Sequence, residues 1–276
     1  MINSETSPQG PAAPVLEPPA FLTAAPRFEP TSKWVRAMFG GVFIANSRHA
    51  MLLWEPPRPT PVYYFPREHV RMDLLVSSDY TRPSQAMGEA KYWSVQVEDK
   101  VAENAAWTYT ETPPRAPDTS AFIAFQWDKV DAYFEEDDEV FVHPRDPHHR
   151  IDVLNSSRHV RIEVAGETVA DSQRPRLLFE TGLPVRYYLP KLDVRLNLLS
   201  PSATVTQCPY KGTASHWSFH SGDAQVSDIA WTYHLPTPEC AKIADLIAFY
   251  NERVDAIYVE DELQPIPQTP WSRRKS

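Results

Sequence analysis

Cys-Pro-Tyr-Lys-Gly-Thr-Ala-Ser-His-Trp, residues 208–217, sets a thiol, a phenol, an amine, an imidazole and an indole within one short stretch. Pro209 and Gly212 break the backbone there into a turn. The stretch has a counterpart. Trp217 lies 124 residues after Trp93, and the same offset carries Tyr63, Tyr64 and Pro66 onto Tyr187, Tyr188 and Pro190. It also carries Trp107 and Tyr109 onto Trp231 and Tyr233, and Val130 and Asp131 onto Val254 and Asp255. Upstream the offset is one larger: Val35 and Arg36 match Val160 and Arg161, Gly41 matches Gly166, and Leu52, Leu53 and Glu55 match Leu177, Leu178 and Glu180. One residue was gained or lost between Glu55 and Tyr63. A period this long exceeds the roughly 20–50 residues of solenoid units, so each copy is expected to be a domain with its own core.

Within each copy the apolar runs are short and bounded by Gly and Pro. Val42-Phe43-Ile44 follows Gly40-Gly41, Met51 to Trp54 ends at Pro56, and Val62 to Phe65 ends at Pro66. The second copy repeats this rhythm at Val160 to Val164, Leu177 to Phe179 and Arg186 to Leu189. Runs this short are strands, and their density predicts an all-β fold with short helical turns. Val194-Arg195-Leu196-Asn197-Leu198 alternates apolar and polar, as does Val70 to Leu74, and reads as a half-buried strand. From Glu239 to Asp245 a short helical turn is expected, followed by a strand.

Seven of residues 1–30 are Pro, and they predict a disordered tail. The first β-domain is expected over 31–142, a connector rich in His, Pro and Arg over 143–157, the second β-domain over 158–264 and a basic tail over 265–276. The chain has 276 residues and a net charge of −9, which argues against nucleic acid or an anionic membrane as a partner. Two Cys make no disulfide framework, and the lack of a charged start followed by an apolar stretch predicts a cytoplasmic protein without a signal peptide. No metal set or cofactor motif stands out: the three His of 143–149 have no regular spacing, and the acidic run Glu135 to Glu139 reads as a solvated loop.

The two copies differ where the chemistry lies. Cys208, Pro209, Tyr210 and Lys211 stand opposite Ser84, Gln85, Ala86 and Met87, while Gly212 and Trp217 keep their partners Gly88 and Trp93. The first copy therefore reads as a degenerate one, and the site is expected in the second. Residues 208–217, Ala230 to Tyr233, and Leu177 through Glu180, Thr181, Gly182 and Leu183 to Tyr187 and Tyr188 resemble the family of the domain of unknown function numbered 427. The resemblance spans both copies, from Trp34 to Glu262. It implies a small β-domain of the β-tent kind, related to methionine sulfoxide reductase B and to the drug-binding domain of cereblon. Those relatives often bind zinc through paired Cys-x-x-Cys knuckles, which this chain lacks, so no zinc is carried over. Most members have Tyr before the Trp, where this chain has His216 and, in the first copy, Tyr92. The family also carries a nucleotidyltransferase-like label.

Lys211, between Tyr210 and Gly212, suits an anion held by backbone N–H groups and an ammonium; desolvated by indoles, it would instead be a neutral amine able to attack a carbonyl. Cys208 is a candidate nucleophile if Lys211 or His216 stabilises its thiolate, and Tyr210 and His216 are candidate proton carriers. Trp217, Trp231, Tyr233 and Tyr187 are the candidate ring walls of a pocket, where stacking or cation-π contacts contribute about 0.5–2 kcal/mol each. Glu180 and Arg186 flank the turn Thr181 to Pro184, and Arg186, opposite Val62, belongs to the unduplicated set. The expected function is a small-molecule-binding protein, or an enzyme of small-molecule metabolism, with an anionic or aromatic ligand. One alternative is a non-catalytic protein-interaction module; another is nucleotidyltransferase-like activity, although no Asp-x-Asp pair for Mg²⁺ lies in the special stretch.

Overall fold

The computed structural model describes residues 25–269. Of the tail expected to be disordered over 1–30, residues 1–24 lie outside the described residues, whereas Arg27–Pro30 is a strand paired antiparallel with Met51–Trp54, with Phe28 packed on the core. Of the expected basic tail, residues 270–276 lie outside the described residues. The first copy contains β1 (Arg27–Pro30), β2 (Val35–Phe39), β3 (Val42–Ser47), β4 (Met51–Trp54), β5 (Val62–Pro66) and β6 (Leu75–Ser84). It continues with β7 (Gly88–Val97), β8 (Lys100–Tyr109), β9 (Phe122–Phe125), β10 (Ala132–Glu135) and β11 (Asp138–Val140). The second copy contains β12 (Ile151–Asn155), β13 (Val160–Val164), β14 (Glu167–Ser172), β15 (Arg176–Glu180), β16 (Arg186–Leu189) and β17 (Leu199–Cys208). After it come β18 (Gly212–Ser221), β19 (Ala224–Pro236), β20 (Ile247–Phe249), β21 (Ala256–Val259) and β22 (Glu262–Leu263).

Each copy folds as a seven-stranded sheet and a four-stranded sheet. The orders are β1-β4-β5-β9-β8-β7-β6 and β12-β15-β16-β20-β19-β18-β17 in the large sheets, and β11-β10-β2-β3 and β14-β13-β21-β22 in the small ones. Each strand of one copy therefore occupies the place of its counterpart in the other, and the tandem all-β architecture follows the internal repeat. The compact units meet in sequence at His149 and Arg150. Ile151–Asn155, within the segment expected to be a connector, is β12, paired antiparallel with β15 from Ile151 opposite Glu180 to Asn155 opposite Arg176.

The pleat sends successive side chains to opposite faces, which divides each large sheet into two apolar surfaces. In the second copy Leu177, Tyr187, Leu189, Phe219, Ala230, Ile247 and Phe249 form one cluster with Val160, Ile162 and Ile257 of the small sheet, and Trp217 packs against it. Their neighbours Leu178, Tyr188, Trp231, Tyr233 and Ala248 face the other way and pack with Val153 of β12 and with Cys240 and Ile243. Phe219, Phe249 and Leu189 are almost wholly buried, and burial of each such side chain contributes about 1.5–3 kcal/mol. Cys240 and Ile243 sit on a 3-10 turn, Pro238–Ile243, that precedes β20, the helical turn and strand that the sequence predicts.

One expected strand is absent. Val194 makes only an isolated bridge to Ala170, and Leu196–Leu198 is a single 3-10 turn leading into β17. The counterparts behave alike, with Val70 bridging Ala45 and a 3-10 turn over Met72–Leu74. The apolar residues alternate because Val194 and Leu198 reach the core from a turn closed by Leu198 N–H donating to the Arg195 carbonyl, not because the backbone is extended.

Candidate functional site

The second face of each large sheet is only partly covered, and its open part is a hollow. In the second copy the hollow holds about 470 Å³ and is lined by rings from β16, β18 and β19, by the turn before Gly212, and by residues that follow β20. The turn Pro209 to Lys211 joins β17 to β18. Gly212 closes it at φ +97°, and a Cβ there would meet the Leu235 carbonyl oxygen at 3.1 Å. The glycine is required by the backbone, which is why both copies keep it.

That turn delivers Lys211 into the hollow, where Nζ donates to both oxygens of Glu180 at 2.7 and 2.6 Å. The two side chains are 11% and 5% exposed, so this is a buried ion pair. A second pair lies beside it. Arg186, at the start of β16, donates from both terminal nitrogens to Glu252 at 2.7 and 2.6 Å, with side chains 13% and 7% exposed. Burial alone would push the Glu252 carboxyl up, but the hydrogen bonds and charge of Arg186 outweigh it and hold the group below the usual carboxylate range. The Arg186 guanidinium also lies 5.7 Å from the centre of the Trp231 ring.

Trp231 is the floor of the hollow. Its Nε1 donates to the Tyr188 hydroxyl at 3.1 Å, and the Tyr250 ring leans on it at 4.4 Å between centres. Burial raises the Tyr188 and Tyr250 phenols, so both stay neutral. His216 stacks on Tyr250 at 6.3 Å and 18° between planes. The imidazole is 3% exposed and shares a 2.9 Å hydrogen bond between Nε2 and Thr206 Oγ1, while its buried Nδ1 has no partner among the described residues. Burial lowers its pKa, against the pull of Asp228, and favours the neutral ring. Asp228, at φ +52° on a bulge of β19, accepts from Thr204 at 2.9 Å, and hydrogen bonds led by Ser202 keep its carboxyl low. Arg253 donates to the carbonyls of Asp228 and Ser227. Three cations, Lys211, Arg186 and Arg253, thus share the wall with three carboxylates, Glu180, Glu252 and Asp228.

The hollow gathers six of the residues expected at a site: Lys211, His216, Trp231, Tyr233, Arg186 and Glu180. It leaves out four. Trp217 and Tyr187 lie on the opposite face of the sheet, where Trp217 donates to Thr232 at 3.1 Å and packs on the core. Each is the chain neighbour of a lining residue, His216 and Tyr188, and the pleat turns it away. Tyr210 is buried, and its carbonyl accepts from Thr237 and Cys240. Cys208, half-buried at the end of β17, is not among the lining residues. Lys211 Nζ is engaged by both oxygens of Glu180. Tyr250, Glu252 and Arg253 carry much of the wall and were not expected; their counterparts Gln126, Asp128 and Lys129 keep the two charges in order, a signal available in the repeat.

The first copy has a hollow of about 500 Å³ in the equivalent place. A site confined to the second copy was the sequence expectation; the scaffold holds a cavity twice. Trp107, Tyr109, Tyr92 and Glu55 stand where Trp231, Tyr233, His216 and Glu180 stand in the second copy. Met87 fills the Lys211 position, wholly buried, and Glu55 is served instead by the Tyr109 hydroxyl at 2.9 and 3.0 Å and by the Ser84 hydroxyl.

Among the described residues no three His, Cys, Asp or Glu side chains converge as a metal-binding set, and no helix is long and apolar enough to cross a membrane. No curated protein matches the chain. A sequence model of a family described as a domain of unknown function, DUF427, matches residues 27–136 and again residues 152–260. The two matches fall on the two structural copies.

Proposed function

The chain belongs to the DUF427 family, carrying its domain twice, and we propose that the second copy is a binding site for a small, flat, polar molecule that is neutral or zwitterionic. The reading rests on the His216 imidazole: a neutral ring with one buried, unpartnered nitrogen on the wall of a ring-lined hollow. A buried polar atom without a partner costs about 1–3 kcal/mol, a cost that a ligand donor or acceptor would remove. Trp231 and Tyr250 offer flat apolar surface beside it, and a stacked ring gains about 0.5–1.5 kcal/mol beyond simple burial. The balanced charges favour a ligand of no net charge over an anion, since Glu180, Glu252 and Asp228 would repel one as strongly as the cations attract it.

The reading is one of binding. Lys211 is occupied with Glu180 and Cys208 lies off the hollow, so the two side chains best suited to nucleophilic attack are not presented to a ligand there. The test is a thermal-shift screen of small metabolites on the native chain and on His216→Phe, which keeps a ring on Tyr250 but removes both nitrogens. A ligand at a hundred times its Kd stabilises the native state by about 2.7 kcal/mol. The expected result is a flat neutral or zwitterionic compound that raises Tm in the native chain and loses most of that effect in the variant. A screen whose every stabilising compound acts equally on both proteins would refute the assignment.

A further inference from the structure

The two hollows share a scaffold but not a charge balance, and the first is electropositive. Among the described residues Glu55 is its only lining carboxylate, and that carboxylate is already engaged by the Tyr109 and Ser84 hydroxyls. Arg58 and Arg82 line the same hollow, and among the described residues neither guanidinium makes a salt bridge. Arg58 is half-buried and follows Glu55, to whose carbonyl its backbone N–H donates at 2.9 Å. Arg82 comes from β6 on the other side; it is exposed, and its positive charge acts on the Tyr92 hydroxyl. The wall between the two arginines is aromatic: Tyr92 stacks on Trp107 at 6.2 Å and 24° between planes.

We propose that the first hollow is a second ligand site, one that takes a small organic anion, a carboxylate or phosphate carried on a flat ring. A guanidinium presents paired N–H donors that match the oxygens of either group, and charge-assisted hydrogen bonds of this kind are roughly twice as strong as neutral ones. Two such donors without carboxylate partners in a concave, ring-walled site leave a positive potential that an anion neutralises. At the Arg58 and Arg82 positions the second copy has Leu183 and Thr206, so the cations belong to the first copy alone. The site is independent of the one proposed above, in a different domain and for a ligand of different charge.

Isothermal titration of the full chain with benzoate, phenyl phosphate and benzamide tests this. Benzoate and phenyl phosphate are expected to bind, to weaken as salt is added, and to lose about tenfold in affinity in each of Arg58→Gln and Arg82→Gln. Benzamide, with the same ring and no charge, is expected to bind at least tenfold more weakly than benzoate. Neither arginine holds a salt bridge, so both variants are expected to keep the native Tm; should one fail to fold, the other still reads the site. The proposal is overturned if both variants keep full affinity for the anions, if benzamide binds as tightly as benzoate, or if neither anion binds at about 10 mM, well above a millimolar Kd.

Discussion

The two hollows differ at one buried position more than at any other. In the first copy Met87 is wholly buried and Glu55 takes its hydrogen bonds from neutral hydroxyls; in the second, Lys211 fills that place and Glu180 becomes half of an ion pair. A buried carboxylate must be matched by a donor, and the same fold supplies either solution. The choice changes what the cavity can hold. Where hydroxyls satisfy the glutamate, nearby arginines remain available to an outside anion; where cations and carboxylates pair off, the wall is polar but balanced.

The largest expected effect breaks this difference directly. Lys211→Met, which installs the first copy's residue, leaves Glu180 buried without its cation and should lower stability by about 3–5 kcal/mol in urea unfolding. Glu180→Gln with Lys211→Met removes both charges and should recover most of that loss. A single variant as stable as the native chain would mean that the pair carries no structural weight. Next come the glycines that close the equivalent turns. A Cβ at Gly88 would lie 2.4 Å from the Glu111 carbonyl oxygen at φ +89°, against 3.1 Å from that of Leu235 at Gly212. Gly88→Ala should cost about 3 kcal/mol and Gly212→Ala about 1–2, measured by the same unfolding curves. The reverse order would show that the tighter approach lies in the second copy.

The smallest effect is a pH dependence. His216 has a folded pKa below its unfolded value of 6.5, so the unfolded chain binds the proton first as pH falls. The stability it contributes is present above about 6.5 and is lost as pH drops from there through the folded value, with a slope of at most about 1.4 kcal/mol per pH unit. His216→Tyr, which restores the first copy's residue, should remove that part of the curve, and a difference curve that stays flat below pH 6.5 would remove the neutral imidazole from the account.

Much of this was legible in the sequence because a repeat is its own alignment. The offset from Trp93 to Trp217 located both domains, and the short runs ending at Pro56 and Pro66 gave all-β folding. Face assignment was harder. Tyr187 and Trp217 look as suitable for a pocket as Tyr188 and His216, and only strand pairing, with His216 opposite Trp231, decides which of each neighbouring pair looks into the hollow. The segment Val194 to Leu198 misled for a related reason: alternation marks which side chains are buried, and a 3-10 turn can bury the same ones as a strand. Lys211 was visible as an unusual residue, but its partner Glu180 lies 31 residues away, and no local pattern connects them. The first copy read as degenerate because Cys208 and Lys211 have no counterparts there, yet Arg58 and Arg82 are unduplicated too, in the opposite direction.

The most direct measurement follows the indole N–H signals of Trp107 and Trp231 in a two-dimensional nuclear magnetic resonance titration with benzoate. One ring lies in each hollow, so a single experiment reads both. A saturating shift of the Trp107 signal, with Trp231 unmoved, is the result that the contrast in charge requires. Equal movement of both signals, or movement of Trp231 alone, would contradict it.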